Sequence, residues 1–104
     1  MNTIETIADH FKLLGDRTRL NIITILLYKD ACVCHLVEIL QTTQPNISQH
    51  MRKLKDAGLV KENRRGQWIY YSLQIEDKPY IQAAVEYLPE VDDHVKNILN
   101  GLPC

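Results

Sequence analysis

The chain has 104 residues, of which 45% are hydrophobic and 24% charged, and its formal net charge is −1. This length is typical of one globular domain, the composition excludes a disordered chain, and the small net charge argues against indiscriminate nucleic-acid binding. No apolar run approaches the roughly 18 residues of a membrane span, no signal peptide is recognisable, and the three unevenly spaced cysteines do not form a disulfide framework. We therefore expect a single domain over residues 1–104, a cytoplasmic location and no membrane partner.

The first half of the chain has the pattern of four helices. Apolar residues at helical spacing predict a helix over residues 4–14, and Asp16 is a good N-cap for a second helix that is apolar on most of its circumference. A short third helix is expected over about residues 34–40. Thr43 caps a fourth helix, which ends before Gly58, a residue suited to a left-handed helix stop.

The second half begins with two short strands. Residues 59–63 and 67–73 surround Arg64-Arg65-Gly66, a pattern typical of a β-hairpin with glycine at its tip. Two more amphipathic helices are predicted, one that begins around Lys78 and a last one after Pro89. The order indicates a mostly α fold with a β-hairpin wing, that is, a winged helix-turn-helix with added terminal helices.

Charge is distributed unevenly along the chain. Residues 44–71 contain six cations and two carboxylates, a net charge of +4, whereas residues 75–104 contain two cations and six carboxylates, a net charge of −4. A basic middle and an acidic tail give the protein one face suited to phosphate. Ordinary solvated charge is the alternative that composition alone leaves open.

The fourth helix has the composition of a DNA-recognition helix. Ile47, Met51 and Leu54 form its buried stripe, and residues 44–55 contain amides, a hydroxyl and cations but no carboxylate. Amides and hydroxyls can bond base edges, cations can meet phosphate, and arginines at a hairpin tip suit backbone or minor-groove contact. The predicted DNA-binding residues of the helix and the hairpin are Gln44, Asn46, Ser48, Gln49, His50, Arg52, Lys53, Arg64, Arg65 and Gln67.

Over residues 16–73 the sequence resembles the ArsR/SmtB family of metal- and metalloid-responsive repressors. The runs that carry the resemblance are Leu13-Leu14-Gly15-Asp16-Arg17-Thr18-Arg19-Leu20, Ala31-Cys32-Val33-Cys34-His35-Leu36, Thr43-Gln44-Pro45-Asn46-Ile47-Ser48-Gln49-His50-Met51, Lys53-Leu54, Ala57-Gly58-Leu59-Val60 and Arg65-Gly66-Gln67-Trp68-Ile69-Tyr70-Tyr71-Ser72-Leu73. The resemblance implies a homodimer that forms through the first and fifth helices. It also implies a repressor whose recognition helices enter two major-groove half-sites about 34 Å apart in double-stranded operator DNA.

The run Cys32-Val33-Cys34 resembles the arsenic-sensing subgroup of that family. Thiolates are soft ligands, which suit trivalent arsenic, antimony or another thiophilic metal. Residues two apart on a helix point to different sides, so both sulfurs converge on one ion only if the first helical turn distorts, and this distortion is a candidate switch. The third thiol of some arsenic sensors corresponds to Val37 here, so Cys104 or an exogenous thiol would complete a trigonal site.

We therefore predict a homodimeric transcriptional repressor, not an enzyme, that leaves operator DNA when arsenite or antimonite binds Cys32 and Cys34, with Cys104 as a candidate third ligand. Two alternatives keep the fold and change the signal: a thiol-redox or persulfide response, and the sensing of another thiophilic metal ion. A third alternative is a constitutive DNA-binding protein whose cysteines are inert, since free cysteines often behave as small buried hydrophobes.

Two further classes of site fit the sequence poorly. A zinc site near the fifth helix would need His and carboxylate ligands at a spacing that the chain lacks, and Asp92, Asp93 and His94 are interpreted as a solvated acidic surface. A thiol enzyme would need an anion-cradling loop with glycine or arginine beside its nucleophile, and no glycine lies between Gly15 and Gly58.

Overall fold

The computed structural model describes residues 3–101, so the candidate ligand Cys104 lies outside the described part of the chain. The elements within that range are α1 (Ile4–Leu14), α2 (Arg17–Tyr28), β1 (Ala31–Cys32), α3 (Val33–Leu40), α4 (Gln44–Asp56), β2 (Val60–Arg65), β3 (Trp68–Leu73), α5 (Pro79–Val85) and α6 (Asp93–Asn100). Their order confirms the predicted winged helix-turn-helix with helices before and after it. Residues 3–101 contain no helix long and apolar enough to cross a membrane.

The predicted helix caps are present. The Asp16 carboxylate accepts a hydrogen bond from the Arg19 N–H at 3.0 Å, and the Thr43 hydroxyl accepts one from the Asn46 N–H at 3.3 Å. These bonds satisfy amide groups that lack helical partners, which fixes where α2 and α4 begin. Gly58 follows α4 with a φ of 76°, the left-handed conformation expected of it.

The two-residue strand β1 is an element that the sequence pattern did not indicate. It pairs antiparallel with β3, with Ala31 opposite Tyr71 and Cys32 opposite Tyr70, so the sheet order is β1-β3-β2. Two residues are too few to display the alternation by which strands are recognised. The pairing matters because it places Cys32 in the same sheet as the wing.

The tip of the wing differs from the prediction. Arg65 pairs with Trp68, which leaves a two-residue loop of Gly66 and Gln67, with Gly66 at a φ of 65°. Glycine at the hairpin tip is confirmed, but the expected place of Arg64 and Arg65 in the turn is wrong, because both arginines belong to β2. A two-residue hairpin loop requires positive φ, which glycine adopts without steric cost, so the turn forms at the glycine and the arginines before it extend the strand.

The core lies between α2, α4 and the inner face of the sheet. The predicted buried stripe of α4, formed by Ile47, Met51 and Leu54, is 0% exposed and packs with Ile22 of α2. This packing holds α4 rigidly against the rest of the domain, so that its opposite face is presented to solvent as one fixed surface.

A buried histidine connects the N-terminal helix to the recognition helix. His10 on α1 is 5% exposed; its Nε2 lies 3.0 Å from the Ala57 carbonyl oxygen and its Nδ1 lies 2.8 Å from the Tyr80 hydroxyl. Since a carbonyl only accepts, Nε2 donates to the Ala57 oxygen, and Nδ1 shares a hydrogen bond with the Tyr80 hydroxyl. The bonds tie α1 and α5 to the end of α4.

Candidate functional site

The outward face of α4 is a polar surface without carboxylates in its first three turns. Gln49, Arg52 and Lys53 are exposed on the side opposite the buried stripe. All ten residues predicted to bind DNA are exposed or partly exposed, which keeps each of them available to a ligand. Some of these ten side chains, however, already form hydrogen bonds or ion pairs with other residues of the chain.

Arg19 fixes His50 on the recognition helix. The guanidinium donates to the Leu13 carbonyl at 2.7 Å through Nε and to Nδ1 of His50 at 3.1 Å through Nη1. Partial burial, assisted by the charges of Arg19 and Lys53, lowers the pKa of His50 below its usual value, although Asp16 opposes this shift. Because a guanidinium only donates, His50 Nδ1 accepts this hydrogen bond, and Arg19 thereby connects α4 to the end of α1.

The two wing arginines have different surroundings. Arg65 forms a 2.7 Å ion pair with Asp30 and lies 4.4 Å above the Tyr70 ring, whereas Arg64 forms no ion pair with any residue in the described range. Asp30 immediately precedes β1, so Arg65 ties the wing to the strand that contains Cys32. Of the two arginines, Arg64 is the one whose charge is available to phosphate.

The cysteines lie where strand β1 passes into α3. Cys32 is the N-cap of α3 and 2% exposed, and it is disulfide-bonded, whereas Cys34 is an exposed, free thiol. His35 is buried at 5% exposure, and its Nδ1 accepts a 3.4 Å hydrogen bond from the Cys32 N–H. His35 therefore caps the N-terminal end of α3 from within the fold.

One groove brings the cysteines together with residues that the sequence predicts to bind DNA. It has a volume of about 370 Å³, and both cysteines line it, as do Gln44 at the start of α4 and Gln67 at the tip of the wing. Its remaining walls are formed by Val33, Val37, Trp68 and Ile69. The groove itself, and the place of Trp68 in its wall, were not foreseen, since only three-dimensional contact between α3 and β3 creates them.

The acidic segment before α6 has a structural role. The Asp92 carboxylate accepts a hydrogen bond from the Val95 N–H at 3.0 Å and so caps α6, while Asp93 and His94 are exposed. Within residues 3–101 no three histidine, cysteine or acidic side chains come together in a way that could hold a metal ion. Of the two cysteines at the groove, Cys34 is a free thiol, and Cys32 is a soft donor only when its disulfide is reduced.

Comparisons with known proteins give the same family as the resemblance seen in the sequence. The profile described as "Bacterial regulatory protein, arsR family" matches residues 16–62. The chain is 38% identical over 78 residues to the arsenic resistance transcriptional regulator ArsR1 of Pseudomonas putida, and 39% identical over 74 residues to the arsenical resistance operon repressor of Escherichia coli. These alignments cover 73% and 70% of the chain, and it spans 60% of the length of each relative.

Two other matches extend over most of the chain. An uncharacterised HTH-type transcriptional regulator of Methanocaldococcus jannaschii is 38% identical over 100 residues, which is 95% of this chain and 93% of that protein. Among solved structures, the homodimeric winged helix-turn-helix DNA-binding domain of a possible ArsR-family regulator from Mycobacterium bovis superposes with a TM-score of 0.71 at 26% identity. That superposition covers 80% of this chain and 77% of the other.

Proposed function

Because this chain belongs to the arsR family of bacterial regulatory proteins, we propose that it is a homodimeric transcriptional repressor that trivalent arsenic or antimony releases from operator DNA. The observation that carries this proposal is the single groove lined by Cys32 and Cys34 together with Gln44 and Gln67. A ligand bound there touches both the start of the recognition helix and the tip of the wing. The inducer site and the DNA-binding surface are thus neighbours.

The DNA-binding part of the proposal rests on α4 and β2. Gln49 is exposed on α4, where its amide would bond base edges in the major groove, and Arg52 and Lys53, one helical turn later and also exposed, would bind phosphate. Arg64 on the wing adds a charge that no described ion pair occupies. The net charge of +4 over residues 44–71 supplies the long-range attraction to double-stranded DNA.

The homodimer is proposed to form through α1 and α5. Ile4 on α1 is 87% exposed, Phe11 is 45% exposed, and Tyr87, directly after α5, is 88% exposed. The two helices already contact each other through the edge-on pair of Phe11 and Tyr80. Large apolar side chains exposed on neighbouring elements indicate a protein interface, and a dimer would set two α4 helices one turn of DNA apart.

The coupling between thiols and DNA follows from the position of Cys32. This residue pairs with Tyr70 in the sheet, and the preceding Asp30 holds Arg65 of the wing. Cys34, by contrast, belongs to the exposed side of α3. An ion that draws both sulfurs together must move the two residues relative to each other, which strains the β1–β3 pairing and shifts the population away from the form that fits DNA.

The donor set suits a soft, trivalent element. Two cysteine sulfurs line an otherwise mainly apolar groove, and the described residues bring no third acidic, histidine or cysteine ligand beside them. Harder cations would need oxygen ligands in greater number. Cys104 remains a candidate third ligand, as does an exogenous thiol, and the sensing of another thiophilic metal by the same pair is the nearest variant of the proposal.

Thiol redox state is a second candidate signal, favoured by one specific observation. Cys32 is disulfide-bonded while Cys34 is a free thiol. Since a disulfide sulfur is not a soft ligand, arsenic can bind both cysteines only in the reduced protein. The two signals are therefore separable: an oxidant should act without metalloid in the redox case, and a reductant should reverse it.

The test is fluorescence anisotropy of the reduced protein on its own upstream DNA, titrated with arsenite or antimonite at fixed salt in a phosphine reductant. We expect release near one equivalent per subunit, abolished by Cys32→Ser and by Cys34→Ser. Cys104→Ser, measured in parallel, reports whether that thiol participates. Unchanged DNA binding in a large excess of both metalloids would refute the proposal, and release by oxidant alone would establish the redox alternative.

A further inference from the structure

A polar cleft, separate from the groove at the cysteines, lies between the recognition helix and the wing. It has a volume of about 340 Å³, and its walls come from α4, β2 and β3. The residues that line it are Ser48, Arg52, Lys55, Asp56, Glu62 and Tyr71. Two of them are cations and two are carboxylates, so the cleft is neutral although it lies in the part of the chain with a net charge of +4.

The α4 side of this cleft continues the predicted DNA-binding face. Ser48, Arg52 and Lys55 follow one another at intervals of four and three residues, so they lie on one side of the helix and line the same cleft. Ser48 and Arg52 are among the residues that the sequence predicts to bind DNA, whereas Lys55 is not. Lys55 is nevertheless exposed, and an ammonium group beside a hydroxyl and a guanidinium has the chemistry of a phosphate contact.

Glu62 on β2 already occupies the ammonium group of Lys55. Lys55 Nζ lies 3.2 Å from Glu62 Oε1, and the Tyr71 hydroxyl donates to the same oxygen at 3.4 Å. Glu62 and Tyr71 are opposite each other in the β2–β3 pairing, and Tyr71 is only 8% exposed, so a fixed neighbour holds the carboxylate from the wing. Burial, and then the charge and hydrogen bond of Glu62, raise the pKa of Tyr71, so its hydroxyl stays protonated and continues to donate.

We propose that Glu62 weakens DNA binding by pairing with Lys55, which would otherwise bind a phosphate of the DNA backbone. The inference rests on the proposed function, because it takes α4 and the wing as the DNA-binding surface. The carboxylate acts in two ways: it neutralises one cation of that surface, and its own charge repels a phosphate that approaches Arg52 in the same cleft. Neither effect depends on base sequence, so Glu62 lowers the affinity for operator and unrelated DNA alike.

The test compares the wild type with Glu62→Gln by fluorescence anisotropy, on the protein's own upstream DNA and on an unrelated duplex of equal length, without metalloid. Glutamine keeps the size of the side chain and an oxygen that accepts from Tyr71, but it has no charge to hold Lys55. We expect Kd to fall about threefold to tenfold on both duplexes. The slope of log Kd against log salt should rise by about 1 for each bound subunit, because one more cation meets phosphate. Glu76→Gln removes an equal charge from an exposed residue between β3 and α5; as the control, it should change Kd by less than about twofold.

Lys55→Gln decides whether the effect of Glu62 is transmitted through the ion pair. In the wild type Lys55 is engaged by Glu62, so its replacement should change Kd by less than about twofold. In the Glu62→Gln background the same replacement should raise Kd about threefold to tenfold and return the salt slope to its wild-type value, because it removes the additional phosphate contact. A carboxylate that only shaped the wing would not make the effect of Lys55 depend on residue 62.

The outcomes separate this inference from the function on which it rests. An unchanged Kd in Glu62→Gln, or a loss on Lys55→Gln that is equally large with Glu62 present, would overturn the role of Glu62 and leave the repressor proposal intact. A gain confined to the upstream DNA would also overturn it, since phosphate contacts do not distinguish sequences. Failure of the wild type to bind its own upstream DNA would refute both. Because both side chains of the pair are well exposed, each variant should melt within a few degrees of the wild type by circular dichroism.

Discussion

Arg19 should be a principal stabiliser of the contact between α1 and the recognition helix. Its guanidinium donates to the Leu13 carbonyl at 2.7 Å and to His50 Nδ1 at 3.1 Å, and both bonds are partly buried. Hydrogen bonds from a charged donor contribute about 1.5–3 kcal/mol each when well shielded, and partial exposure reduces this. Arg19→Met keeps the aliphatic stem and loses both bonds, so we expect it to lower the free energy of unfolding by about 2 kcal/mol.

The assay is urea unfolding followed by circular dichroism, at one fixed protein concentration because a dimer is stabilised by mass action. Arg19→Lys retains a charge but reaches one acceptor at a time, so its loss should be about half that of the methionine variant. Arg17→Met, an exposed position on the same helix, is the matched control and should change stability by less than about 0.5 kcal/mol. Equal effects of the Arg19 and Arg17 variants would refute the assignment of the network.

Three other outcomes follow from the structure. The pKa of His50 is lowered, so the unfolded chain binds the proton more tightly; stability should fall as pH drops below about 6.5, and His50→Gln should make thermal unfolding less sensitive to acid than wild type. Arg64→Ala should reduce the slope of log Kd against log salt by about 1 for each bound subunit, and Arg65→Ala, whose charge already pairs with Asp30, by clearly less; equal slopes would contradict this distinction. Met51→Ala, at 0% exposure, should cost about 2–5 kcal/mol in urea unfolding, whereas Leu27→Ala at 43% exposure should cost under about 1 kcal/mol.

Helix positions could be read from the sequence because their determinants are local. Asp16 and Thr43 cap their helices with their own side chains, and the stripe of Ile47, Met51 and Leu54 follows from helical spacing alone. The strand β1 is different, because its existence depends on pairing with β3, some 40 residues later in the chain. For local patterns, sequence reasoning was sufficient; for pairing at long range it was not.

The same difference between local patterns and long-range contacts applies to the candidate site. The cysteines and the polar face of α4 were recognisable as residue types, and the structure shows where they lie. Arg65 was predicted to bind DNA from the hairpin tip, yet it forms an ion pair with Asp30, and nothing in the local sequence indicates that contact. Trp68 lines the groove beside the cysteines, a position that no local sequence pattern indicates. In each case the deciding contact is between the wing and the segment around β1.

The contact between the wing and the segment around β1 also determines part of the free energy that the proposed inducer must supply. A repressor that changes from 99% bound to 99% released needs a differential affinity of about 10⁴, or about 5.5 kcal/mol, which is just under 3 kcal/mol for each subunit of a dimer. The exposed Asp30–Arg65 pair contributes at most about 1 kcal/mol of this. Disruption of the β1–β3 pairing at Cys32 and Tyr70 adds backbone hydrogen bonds worth about 0.5–1.5 kcal/mol each. Together these contacts are of the required size, so the proposed mechanism can act through β1 and the wing and requires no change in the buried packing of α4.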